Sequence, residues 1–173
     1  MPDHSPLFSV VIPVYNREKM ALRAIASVRA QAFNDYEIVV VDDASTDNSL
    51  AVMQAHSADD FHVVALAKNR GVSGARNAGV AAAKGQYIVL LDSDDEFLDG
   101  MLEEYAKLVR DNPGLDMIWC GTDCQIEDKD GQIAKQYIEI IRADSQRNSS
   151  DDRMFAVRLG TGAGIAMKKQ RYL

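Results

Sequence analysis

The sequence predicts an α/β fold with a mainly parallel sheet flanked by helices, and three observations predict it. Continuous apolar runs recur at residues 8–14, 36–41, 61–67 and 87–91. Broken only by Ser9, Glu37 and His62, they are near-continuous rather than alternating, as strands covered by helices on both faces are. Stretches with helical spacing of apolar residues separate them at short intervals, the rhythm of strand–helix alternation.

Taken in order, the first run is Phe8-Ser9-Val10-Val11-Ile12-Pro13-Val14, with Pro13 near its end, where a missing N–H is tolerable. Asn16 is placed to cap the helix that follows, and Leu22, Ile25 and Val28 share one face of it through Gln31. The second strand, 36–41, runs into Asp42-Asp43. A polar cluster at 45–49 then leads into a helix at about 50–56. The third strand, 61–67, is followed by a basic loop containing glycines and by a small-residue helix over 75–84, for which Gly85 is the expected stop. The fourth strand ends in Leu91-Asp92-Ser93-Asp94-Asp95. In extended backbone Asp92 and Asp94 would point the same way. Beyond Asp99 an amphipathic helix presents Met101, Leu102, Tyr105, Leu108 and Val109 on one side and stops at Asn112-Pro113-Gly114. A fifth strand is expected over 116–120.

The remainder is less regular. Asp128-Lys129-Asp130-Gly131 reads as a hairpin turn between strands at 123–126 and 137–141. Residues 143–152 are polar and read as a loop. Gly160 to Met167 is a glycine-rich approach to a short strand, and a new helix begins as the sequence reaches Leu173, so the domain is expected to continue beyond it.

Composition narrows the function classes. The chain has 173 residues, enough for one domain with a sizeable core, with 47% hydrophobic and 26% charged residues. A net charge of −7 disfavours nucleic acid as a partner. No apolar stretch is long enough to span a membrane, and residues 1–6 lack the pattern of a signal peptide. Together these place the protein in the cytoplasm, with peripheral association at the inner face of the membrane left open. Cys120 and Cys124 read as reduced thiols, because His4, His56 and His62 are not spaced to complete a zinc site.

In open α/β sheets ligands bind outside the carboxyl ends of the strands. Here the first strand delivers Pro13, Tyr15 and Asn16, the second Asp42 and Asp43, the third Lys68, Asn69, Arg70 and then Arg76, and the fourth Asp92, Asp94 and Asp95. Tyr15 offers an aromatic face for a base, and Asp43 an acceptor for a base N–H. Arg76 is a fixed cation suited to a carbonyl or phosphate, and Asp94 a hard oxygen suited to a divalent metal. Neither Gly-x-Gly-x-x-Gly nor a P-loop is present, so helix amides and a P-loop lysine are not the expected phosphate holders.

Four segments carry a resemblance: Val10-Val11-Ile12-Pro13-Val14-Tyr15-Asn16; Glu37-Ile38-Val39-Val40-Val41-Asp42-Asp43-Ala44-Ser45-Thr46-Asp47; Asn69-Arg70-Gly71-Val72-Ser73-Gly74-Ala75-Arg76-Asn77; and Leu91-Asp92-Ser93-Asp94-Asp95. In order and spacing the chain resembles family 2 glycosyltransferases of the GT-A fold, most strongly over residues 8–112. The resemblance implies a single GT-A domain over 1–173. Residues 8–112 would form the nucleotide-sugar-binding half and 113–173 an incomplete acceptor-side half. It implies transfer of a sugar from a nucleoside-diphosphate sugar, a UDP-sugar by analogy, to a glycan or lipid-linked acceptor. The setting would be polysaccharide assembly, with Mn2+ or Mg2+ as cofactor and inversion at the anomeric carbon.

By the same resemblance Pro13 and Tyr15 line the base pocket, Asp43 binds the base, and Arg76 approaches the base or diphosphate. Asp92 and Asp94 form the Asp-x-Asp motif, Asp92 toward the ribose and Asp94 on the metal, with Asp95 near the donor sugar. The general base of such enzymes lies beyond the segment that Gly160 to Met167 resembles, and is expected beyond Leu173. That departure keeps a non-catalytic nucleotide-sugar-binding module as the alternative. A flavodoxin-like acidic pocket is disfavoured, because the first strand ends in Pro13-Val14-Tyr15 rather than in acids.

Overall fold

The computed structural model describes residues 5–57, 61–119, 122–127, 133–139 and 164–172, with the side chains of 122–127 and 133–139 outside the description. The expected turn at 128–131, the loop at 143–152, the glycines at 160–163 and the thiols of Cys120 and Cys124 lie outside the described residues.

The strands are β1 (Phe8–Val14), β2 (Tyr36–Asp42), β3 (Phe61–Ala65), β4 (Tyr87–Leu90), β5 (Met117–Trp119), β6 (Thr122–Glu127), β7 (Ile133–Glu139) and β8 (Ile165–Lys168). The helices are α1 (Glu18–Arg29), α2 (Ser49–Ala55), α3 (Gly71–Ala82), α4 (Met101–Asp111) and a four-residue α5 (Lys169–Tyr172). One six-stranded sheet runs in the order β3-β2-β1-β4-β8-β5, and β6 and β7 pair separately as an antiparallel ribbon. β3, β2, β1 and β4 are parallel, whereas β8 is antiparallel to both β4 and β5.

This order has a direct consequence. The chain builds outward from β1 through β2 to β3, then returns to the opposite side of β1 to make β4. The reversal lies between β1 and β4. At such a point the loops diverge to opposite faces and leave a crevice beyond the strand ends.

Side-chain alternation sorts the core into two layers. Phe8, Val10, Ile12 and Val14 of β1 pack with Ala21, Ala24, Ile25 and Val28 of α1 and with Leu102 and Tyr105 of α4. Val11, on the other face, packs with Ala75 and Val80 of α3 and with Val39 and Val41 of β2. Phe8 anchors the first layer, with the rings of Phe33, Tyr87 and Tyr105 at 5.6, 6.2 and 6.4 Å. Burying a side chain of this size contributes about 2–3 kcal/mol. In the second layer Gly79 sets the spacing: a Cβ there would stand 2.3 Å from Val11 Cγ1 and 3.0 Å from Val41 Cγ2. Only glycine lets α3 lie this close to β1 and β2.

Five expectations are corrected. Asn16 does not cap α1; Arg17 holds that position, with no side-chain capping bond. α3 begins at Gly71 rather than Ala75, on a positive φ of 73° that glycine adopts freely. Gly85 is not a left-handed stop. It is pressed against β1, where a Cβ would meet Ser9 N at 2.6 Å, and its N–H donates to Ser9 Oγ and to the buried Glu37. Leu108 faces solvent, and Ala106 takes the buried place on α4. Finally, β4 ends at Leu90, so the acidic residues sit on a turn, closed by the Asp95 N–H donating to Asp92 O at 3.0 Å.

Candidate functional site

A solvent-open cleft of about 490 Å³ occupies the crevice at the carboxyl ends of β1, β2 and β4. The structure brings Pro13, Tyr15, Asp43, Asp92 and Asp94 to its walls. Arg76 and Asp95 stand behind the wall rather than on it, each touching Asp92. Lys68 and Arg70 point to solvent.

The loops after β1 and β2 are stitched together. Asn16 adopts a left-handed φ of 53°, which asparagine tolerates better than most residues. From there its Oδ1 accepts from the N–H groups of Thr46 and Asp47 at 2.8 and 3.3 Å, and its Nδ2 donates to Thr46 Oγ1 at 3.2 Å. The Asn16 N–H donates to Ser45 Oγ and the Arg17 N–H to the buried Ser49 Oγ, both at 3.0 Å. Ala44 also has a positive φ, 59°, an unfavourable conformation for alanine that the surrounding bonds hold in place. Asp47 accepts from Ser49, and the Ser49 hydroxyl and backbone N–H hold its carboxyl below the usual range. Asn16 therefore locks two loops together, and its place directly after an apolar strand did not distinguish this task from a helix cap.

On the β2 side the carboxylates are buried. Asp43 Oδ1 accepts the Arg70 N–H at 2.7 Å, which ties the start of α3 to the cleft. Asp42 Oδ2 accepts the Ser45 N–H at 3.1 Å, while its Oδ1 is buried with no hydrogen-bond partner. Because α3 starts at Gly71, its first turn forms part of the wall, with Gly71, Val72 and Ala75 lining the cleft. The absence of a glycine-rich fingerprint is therefore no ground for setting helix amides aside: the positive end of a helix dipole faces this space.

The β4 side is built from ion pairs. Arg76 Nη2 donates to Asp92 Oδ1 at 2.5 Å, and Arg17 Nη1 to Asp94 Oδ2 at 3.0 Å. Arg76 Nε is buried with no hydrogen-bond partner. Behind the turn, the half-buried Asp95 has its pKa pushed up to about 6, first by desolvation and then by the charges of Asp92 and Asp94. The following loop is pinned to α1. Glu96 pairs with Arg23, the Phe97 N–H donates to Ser27 Oγ, and Gln31 bonds both Leu98 O and the Leu102 N–H.

Arg17 is the residue that sequence reasoning passed over. It lines the cleft and meets Asp94 across 77 positions of sequence. Its place two residues beyond Tyr15, on the same rim, was the available signal.

Among the described residues no three His, Cys, Asp or Glu side chains gather as a self-sufficient metal cage. The donor set fits a different kind of site. Asp94 presents an exposed hard oxygen on the cleft wall, next to Asp95 and two residues from Asp92. Mg2+ and similar ions are commonly held by one or two carboxylates, with substrate phosphates and water completing the shell.

A family model described as Glycosyl transferase family 2 matches residues 9–165. The GalNAc(5)-diNAcBac-PP-undecaprenol beta-1,3-glucosyltransferase of Campylobacter jejuni is 35% identical over 135 residues, 76% of this chain and 42% of that protein. The chain spans 36%, 54% and 42% of three curated relatives that it matches over 109, 169 and 135 residues. Among solved structures, S. aureus TarS 1-349 in complex with UDP-GlcNAc superposes with a TM-score of 0.62 at 27% identity, covering 74% of this chain and 37% of that one. The mannosyltransferase PcManGT from Pyrobaculum calidifontis, in complex with GDP-Man and Mn2+, gives 0.61 at 25% identity, covering 69% and 36%. The α/β sheet with its flanking helices is the architecture of these GT-A neighbours.

Proposed function

The chain belongs to glycosyl transferase family 2, and on that premise we propose that it binds a nucleoside-diphosphate sugar, a UDP-sugar first, for transfer to a glycan or lipid-linked acceptor. One observation carries the reading: the ends of β1, β2 and β4 and the first turn of α3 converge on a single cleft at the switch of strand order. The complexes of TarS with UDP-GlcNAc and of PcManGT with GDP-Man and Mn2+ support the donor class. The name of the Campylobacter relative supports a lipid-linked acceptor.

In this reading Tyr15, 45% exposed on the wall, gives its ring face to the base, and Pro13 lines the same pocket. Asp43 accepts a base N–H and is already aimed by its bond to the Arg70 amide. Asp92, oriented by Arg76, faces the ribose. Asp94 holds Mn2+ or Mg2+, and Asp95 lies behind it on the side of the donor sugar. A cation so held supplies Lewis-acid relief of the charge on the departing diphosphate. The donor half is 8–112 and the acceptor side begins after it; the general base for an inverting displacement belongs to that acceptor side. A peripheral approach to a lipid-linked acceptor belongs to the same reading; no described helix is long and apolar enough to cross a membrane.

Calorimetry of UDP against the protein with and without Mn2+ tests the reading. Binding that appears or tightens with Mn2+ is expected. Absence of binding under both conditions would overturn it.

A further inference from the structure

Arg17 is the only cation among the residues that line the described cleft, and its guanidinium is committed to Asp94. That pair is unlike its neighbour. Arg76 and Asp92 are largely enclosed, at 19% and 27% side-chain exposure, whereas Arg17 and Asp94 are 43% and 48% exposed. An ion pair in such contact with water is weak and readily exchanged. The backbone under Arg17 is the opposite. Its N–H is fixed to the buried Ser49 Oγ, and its carbonyl accepts the Ala21 N–H at 2.9 Å at the head of α1. The side chain thus extends, largely in solvent, from a stationary root, with Met20 Sδ at 3.1 Å as its other neighbour.

We propose that Arg17 is an exchange partner for the donor site. In the empty cleft it neutralises Asp94. When Asp94 takes a divalent cation, Arg17 is displaced and turns its fork onto the diphosphate that arrives with that cation. The proposal rests on the nucleotide-sugar reading of the cleft. Charge favours this arrangement: a carboxylate shared between a guanidinium and a metal serves each less well, and a diphosphate offers the planar fork a better acceptor. The exchange also keeps an empty site from holding metal tightly without its nucleotide, so that cation and donor enter together.

The test compares wild type with Arg17→Met, which keeps the aliphatic bulk, in three titrations. Mn2+ alone, followed by electron paramagnetic resonance, is expected to bind the variant about two- to fivefold more tightly, because the competitor is gone. UDP at saturating Mn2+ is expected to bind it roughly tenfold more weakly, the loss of a charge-assisted bond. Uridine, which lacks phosphate, is expected to bind both alike. Arg17→Lys should restore the competition for Asp94 but only part of the UDP affinity, since a point charge lacks the fork. Unchanged Mn2+ and UDP affinities in Arg17→Met would overturn the exchange while leaving the donor reading intact. Weakening of all three ligands would also overturn it, in favour of a scaffold role. A wild type that binds UDP with no dependence on Mn2+ would overturn the exchange and the metal at Asp94 but not the donor reading, whereas a wild type that binds no UDP with or without Mn2+ would overturn the reading and the exchange together.

Discussion

β1 lies between two strands that both lead into acids, and the two ends are wired in opposite ways. On the β2 side, Asp42 and Asp43 are 1% and 3% exposed, and the partners of their bonded oxygens are backbone amides, Ser45 N and Arg70 N. On the β4 side, Asp92 and Asp94 are met by arginine side chains. Backbone amides in anchored loops cannot leave, whereas a guanidinium on a flexible stem can. The first end is thus suited to a fixed recognition contact, and the second, at Asp94 above all, to a contact that changes when charge arrives. The stitching by Asn16 fits the same division, because it rigidifies the β1 and β2 loops and leaves the acidic turn to ion pairs.

The largest effect is expected at the exchangeable end. Asp94→Asn should weaken Mn2+-dependent UDP binding by at least about 100-fold, beyond what loss of an outer-sphere partner costs a metal site. Its unfolding free energy should stay within about 0.5 kcal/mol of wild type, because an exposed pair contributes little to stability. Uridine affinity should be unchanged. A large loss of stability in this variant would erase the distinction between the two ends.

A smaller but broader effect is expected at the fixed end. Asp43→Ala leaves the Arg70 amide without its acceptor and should cost about 1–2 kcal/mol in denaturant unfolding. It should also weaken uridine and UDP alike, by roughly tenfold, with or without metal. Asp43→Asn keeps an acceptor for that amide, so it should recover the stability and not the base affinity. If the two variants proved equally unstable, the bond to Arg70 would not be what fixes this end.

The strand ends were legible in the sequence because their signal is local. A continuous apolar run that stops at Asp42 or just before Asp92 marks both the strand and the rim it points to, and the parallel direction of β1, β2, β3 and β4 follows from the helices between them, though their order in the sheet does not. What was not legible depends on partners far along the chain. Gly71 reads as a loop glycine because the tertiary bond that ties down the start of α3, from the Arg70 N–H to Asp43 Oδ1, spans 27 residues. Asn16 reads as a cap because its real partners, Thr46 and Asp47, are 30 and 31 residues away. Leu108 and Ala106 are two positions apart on α4, and periodicity alone did not say which would be buried. Arg17 was overlooked because its pairing with Asp94 is a rotamer choice across the cleft, and no spacing rule records it.

The smallest expected effect reads the electrostatics of the acidic turn from the inside. Asp95 has a folded pKa of about 6 against an ordinary 3.8, raised first by burial and then by Asp92 and Asp94. Between those two values the unfolded chain releases the proton while the folded chain keeps it. Stability therefore falls as pH rises through that window, and above about 6 the folded protein carries the ionised carboxylate at full cost. Asp95→Asn should remove this slope and stabilise the protein by about 1 kcal/mol at pH 7, after discounting a half-exposed group for solvent screening. At pH 3.5 it should have little effect. Mn2+ sharpens the comparison: a cation at Asp94 opposes the two neighbouring charges but not the burial. It should therefore flatten the wild-type slope in part and leave that of Asp94→Asn untouched. Thermal melts of the three proteins across pH 3.5–7.5, with and without Mn2+, measure all of this. Identical profiles for wild type and Asp95→Asn would mean that the turn is wetter than its geometry indicates, and that the exchangeable end is not under charge stress before a ligand arrives.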